Sequence, residues 1–143
     1  VNKRLFEVDG DPASLDEAIT ATEKGWVLRN DYYNGINLAF LLDTRAAASD
    51  GARAAEDHAR AQGVRREVVA ICERLIEGGE IEGDDRYWAM ATLEEATTDL
   101  GDAEAAAKWH EAAAAVASAD WMADSTAEQL GKLNDLLASI KTP

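Results

Sequence analysis

The sequence is poor in the residues that staple a chain or break a helix. It has one cysteine, Cys72, so no internal disulfide can form, and a reducing compartment fits that usage. Only two prolines occur, Pro12 and Pro143, so the interior is free of the residue that costs a helix about 3 kcal/mol. Aromatics make up 6% of the 143 residues, and β-branched residues are scattered, so no alternating strand pattern develops. No apolar run reaches the roughly 20 residues of a membrane helix. The N-terminus lacks the basic-then-apolar order of a secretion signal. Positive charge is scarce as well: 14 Lys and Arg stand against 28 Asp and Glu, for a net charge of −14. The only basic clusters are Lys3 with Arg4 and Arg65 with Arg66. Nucleic acid and anionic membrane are disfavoured as partners, because both attract proteins through Lys and Arg that displace counterions. The acidity itself reads first as a source of solubility.

What the sequence does have is alanine, which dominates a hydrophobic fraction of 47% and favours helix almost throughout. The length suits one domain over residues 1–143, expected to be cytoplasmic. Because the chain begins at Val1, it is expected to be a piece of a larger protein. Ser14 with Glu17 forms a capping box, predicting a first helix over about 14–29. Asp31 caps a second helix to about 48, and Ser49-Asp50-Gly51 ends it. A third runs over 52–77, with Gly63 as a candidate break and Gly78-Gly79 as the stop. Asp84 or Asp85 caps a fourth helix over 86–100, and Asp102 a fifth over 103–118. Ser125 with Glu128 forms a second capping box, for a sixth helix over 125–140.

These helices fall into two types. Tyr32-Tyr33-Asn34-Gly35-Ile36-Asn37-Leu38 aligns with Tyr87-Trp88-Ala89-Met90-Ala91-Thr92-Leu93. "EAITATEKG", "EVVAICERL" and "AAAKWHEAA" share small or aliphatic positions and a glutamate at 23, 73 and 111. Alternation of the two types implies helical hairpins that must stack to bury their apolar faces, with a plain helical bundle as the alternative. The fold expected is all-α: about six helices in stacked antiparallel hairpins, as degenerate tetratricopeptide-like repeats.

"DYYNGINLAF", at 31–40, carries a glycine and two asparagines in an otherwise greasy helix. Apolar residues lie on both sides of this helix, so it is expected to pack on both sides, as the inner helix of a stack does. Gly35 would then admit a close neighbour. Asn30, Asn34 and Asn37 fall at i, i+4, i+7 and make one polar strip. Two readings stay open: buried amides satisfying a neighbouring helix, or a groove wall gripping the backbone of a bound peptide. Thr92, Glu95 and Asp99 occupy the comparable strip of the other helix of this type.

"DYYNGINLAFLL", "RYWAMATLEEATTDLGDAEAAAKWHEAAAA" and "WMADSTAEQL" together resemble the TRAF-binding, tetratricopeptide-like regulatory domain of the apoptosis signal-regulating kinases and its bacterial counterparts. The likeness covers roughly residues 14–140. Leu93, Gly101, Ala106 and Ala113 agree with the general repeat pattern; Glu94 stands where a small residue is usual, and the connection 43–64 is long. The resemblance implies an interaction and regulatory platform without kinase chemistry. TRAF binding itself does not carry over, since no partner-contacting residue is matched.

Few constellations promise chemistry. Neither GxGxxG nor GxxxxGK[ST] occurs. Asp9-Gly10-Asp11 with Ser14 and Asp16 misses calcium-loop spacing, having Ser14 where glycine belongs and Thr20 where the last glutamate belongs. "EGGEIEGDD" reads as a solvated loop. His58 and His110 lack a second ligand at metal spacing, and His110 is expected to fill the core or its rim. Cys72 sits among apolar neighbours and is expected to be inert. No catalytic residue, metal or cofactor is expected. The expected activity is binding of a protein or peptide segment in a concave groove by Tyr33, Asn37, Trp88, Thr92, Glu95 and Asp99, with Trp88 as the exposed anchor and a basic partner favoured. The alternative is self-association through the end of the array, near residues 1–6 and the first helix.

Overall fold

The structure, a computed structural model, describes residues 12–140. The expected 1–6 contact surface and the Asp9-Gly10-Asp11 stretch lie outside the described residues. Six helices follow one another: α1 (Pro12–Arg29), α2 (Tyr32–Ala47), α3 (Gly51–Glu77), α4 (Gly83–Asp99), α5 (Ala103–Val116) and α6 (Asp120–Ser139). No strand occurs among the described residues, and the fold is all-α.

Local chemistry explains most boundaries. Asp31 caps α2, its carboxylate accepting from the Asn34 backbone N–H at 3.2 Å. Asp102 caps α5 in the same way through the Ala105 N–H at 3.1 Å. The other predicted starts move upstream. α1 begins at Pro12, whose fixed φ suits the first helical position, so Ser14 and Glu17 lie inside the helix. α4 begins at Gly83; Asp84 and Asp85 occupy its first turn, where negative charge complements the helix dipole. α6 begins at Asp120 and absorbs the Ser125 capping box. Gly63 does not interrupt α3, which continues for 27 residues.

Consecutive helices pack on one another, α1 on α2, α2 on α3, α3 on α4 and α4 on α5. α2 also touches α4. The last helix does not simply extend this series: α6 packs on α2 and α4. Those two helices therefore form a middle layer, each packed on its chain neighbours, on the other and on α6. A helix covered on both sides needs apolar residues all round. α2 is enclosed in this way: Gly35 through Asp43 are buried without interruption, mostly apolar but with Asn37 and Asp43 among them. α4 buries Tyr87, Ala89, Met90, Ala91 and a run from Leu93 to Thr97.

Gly35 marks the tightest point of this layer. A Cβ there would lie 2.5 Å from the Val68 side chain of α3 and 2.7 Å from the Trp26 ring of α1. The expected close approach is thus made from two helices at once, and it offsets the cost of glycine within a helix.

Candidate interaction surface

The asparagine strip separates into three roles. Asn30 ends α1 in the left-handed region, with φ of 50°, and its N–H donates to the Trp26 carbonyl at 2.7 Å. Asparagine tolerates that conformation better than most residues, and it closes the helix as glycine often does. Asn34 donates through Nδ2 to Asp31 Oδ1 at 2.7 Å, which fixes the α1–α2 turn. Its side-chain oxygen also lies where a Cβ on Gly25 would intrude, at 2.9 Å. Asn37 is only 4% exposed and belongs to the interior.

The other expected groove residues divide in the same way. Glu95 and Asp99 are buried, at 7% and 8% exposure. An open groove wall through Asn37, Glu95 and Asp99 is therefore not what the fold presents, because α2 and α4 are covered on both sides. Thr92 is half-buried and donates its hydroxyl to the Trp88 carbonyl at 2.8 Å. Trp88 is half-buried too, packed edge-on against Tyr87 at 4.8 Å between centroids and against Trp121 of α6 at 5.9 Å. Tyr33 is exposed. Trp121 is 61% exposed and is the more accessible aromatic of its pair.

The contact between α6 and the middle layer is specific. Tyr87 and Thr126 share a hydroxyl–hydroxyl hydrogen bond of 2.7 Å. Ser118, in the turn before α6, donates to Asp84 at 2.8 Å. Met122 and Leu133 are the fully enclosed residues of α6, and Thr126 and Gln129 between them are half-buried. The four fall at i, i+4, i+7 and i+11, the spacing of a narrow stripe that seats a helix against a partner.

A second cluster holds the layers together from within. Arg65 of α3 is fully buried and pairs with Asp43 of α2 and Asp99 of α4. The two carboxylates of the middle layer are thus bridged by one guanidinium. His58 Nδ1 lies 2.8 Å from the other Asp43 oxygen, and Gln62 Nε2 donates to the Asp99 carbonyl at 3.1 Å. Burial raises the Asp99 pKa, and the Asp43 charge adds to that, against the opposing pull of Arg65 and His58. The pairing separates the adjacent Arg65 and Arg66, which form no single basic patch: Arg66 is exposed and Arg65 is interior. A signal was present, since Ala61, Arg65, Val68 and Cys72 fall on one helical stripe, and an arginine on such a stripe needs buried acids. At the outer edge Arg45 binds Asp57 bidentately, at 2.9 and 3.0 Å, and reaches Asp16 at 3.2 Å.

The remaining reactive groups are spoken for. Cys72 is enclosed, and burial pushes its thiol up to about 12, with the neighbouring Glu73 charge adding to the shift. Such a thiol carries almost no thiolate at neutral pH. His110 is exposed at the rim and contacts Glu94 Oε2 at 2.9 Å. Among the described residues, no group of three or more His, Cys, Asp or Glu side chains converges as a metal site. No helix among them is long and apolar enough to cross a membrane. Comparison with protein-family models, with curated proteins and with solved structures gave no match.

Proposed function

We propose that this chain is a non-catalytic interaction module of tetratricopeptide-like build, whose binding face is formed by α2 and α4. The observation that carries the reading is the seating of α6: an amphipathic helix already lies on that face, fixed by Tyr87, Trp88 and a stripe of its own residues. A surface that holds one helix by a stripe of mixed apolar and hydroxyl contacts has the chemistry to hold another. The sequence resemblance to the regulatory domain of the apoptosis signal-regulating kinases points the same way. Supporting a non-catalytic role, Cys72 is enclosed and both histidines are engaged by carboxylates. The module would work in the cytoplasm, beside other domains of a longer protein.

A second reading has its own observation. Val27 and Leu28, at the end of α1, are 73% and 74% exposed, and Tyr33 follows just across the turn. Apolar side chains so placed favour self-association at the N-terminal end of the array.

Two measurements test these readings. Sedimentation over a concentration series should give a monomer for the interaction module; a dimer lost in Leu28→Asp favours self-association. Affinity capture from the native host, repeated with Trp88→Ala and Trp121→Ala, should lose its partner in both variants. Unchanged capture by both removes the α4–α6 face from the proposal.

A further inference from the structure

We infer that α6 is a weak resident occupant of the binding face, and that the face is built for a basic amphipathic helix that displaces it. The inference rests on the interaction-module reading above and adds the class of partner and the regulation of the site.

Four independent features make α6 a poor occupant. Its N-cap is Ala119, which offers no side-chain acceptor to the first turn. Gly131 lies inside the helix, and a Cβ there would meet nothing within 4 Å, so no packing requirement explains the glycine. The Nε2 of Gln129, on the seating stripe, is buried without a hydrogen-bond partner. Charge is also wrong: Asp120, Asp124, Glu128 and Asp135 stand against Lys132 on a protein whose net charge is −14. α4 itself opens with the exposed Asp84 and Asp85. An acidic helix on an acidic receptor is repelled, and a helix with the same stripe but Lys or Arg on its flanks is attracted.

The seated helix also defines the shape its competitor needs. Large aliphatic residues take the places of Met122 and Leu133, and a small hydroxyl residue takes that of Thr126, where it meets the Tyr87 hydroxyl. Occupation in cis reduces the apparent affinity of any incoming helix by the fraction of chains whose face is open.

The test uses the full 143-residue chain and a fluorescein-labelled peptide of residues 120–139 carrying Asp124→Lys and Asp135→Lys. Both changes fall on exposed positions away from the stripe. The peptide is expected to bind wild type, to weaken with added salt, and to speed amide exchange across α6. Gly131→Ala in the chain strengthens the resident helix and leaves the face untouched, so peptide affinity should fall about fivefold. Leu133→Asp in the chain loosens α6, and affinity should rise at least about tenfold. The Gly131→Ala comparison stands alone if Leu133→Asp fails to fold. Binding that is indifferent to Gly131→Ala and leaves α6 protected would overturn the inference while sparing the interaction module. No binding to any chain, with sedimentation as an oligomer, would remove both.

Discussion

α2 and α6 pack against each other and have similar lengths, 16 and 20 residues, yet the sequence treats them in opposite ways. α2 is enclosed from Gly35 to Asp43, while α6 fully encloses only Met122 and Leu133. α2 has an aspartate at its N-cap, and α6 has an alanine there. Each contains an internal glycine, and here the contrast is sharpest. Gly35 is wedged between Val68 and Trp26, whereas Gly131 faces open space. Packing decides whether a helix-breaking residue is a requirement or a weakness. One helix holds the fold together; the other rests on it.

The largest effect expected comes from breaking the inner side. Arg65→Met leaves Asp43 and Asp99 buried without their shared cation and should cost about 3–5 kcal/mol in urea unfolding. Combining it with Asp43→Asn and Asp99→Asn should recover part of the loss, because the penalty lies in the uncompensated charges. A cost below about 1 kcal/mol would mean that the three groups are hydrated rather than enclosed.

The next two effects use the same substitution at both glycines. Gly35→Ala forces a methyl group against Val68 and Trp26 and should destabilise by about 1–3 kcal/mol. Gly131→Ala should stabilise α6 by up to about 1 kcal/mol, seen as slower amide exchange confined to 120–139. If both variants shift in the same direction, the contrast between a packed and a resting helix fails.

How much of this could be read from the sequence varies with the residue. Six helices, the inner position of 31–43 and the close approach at Gly35 follow from periodicity and composition, which record local burial directly. The Asp31 and Asp102 caps follow from local spacing. The return of α6 onto α2 and α4 does not, because both apolar sides of α2 were legible but not what covers the second one. A stack with an open groove and a stack closed by its own last helix require the same α2. That ambiguity is why Asn37, Glu95 and Asp99 were expected at a groove and lie in the interior. Arg65 was legible from its stripe but was counted by charge instead of by position.

The smallest effect expected is a slope with pH. Burial holds the Asp99 carboxyl above its ordinary value of 3.8, despite the opposing charge of Arg65. The folded chain then binds that proton more tightly than the unfolded chain does. Stability from this group is complete below 3.8 and is lost as pH rises through the raised folded value. Asp99→Asn removes the titration but keeps the shape. The stability of wild type relative to Asp99→Asn should therefore increase as pH is lowered from 7 toward 4, read as the difference in urea midpoints at each pH. The opposite slope would mean that the Arg65 pair outweighs burial at this position, and that α4 is held to α3 by attraction between charges more than by the exclusion of water around them.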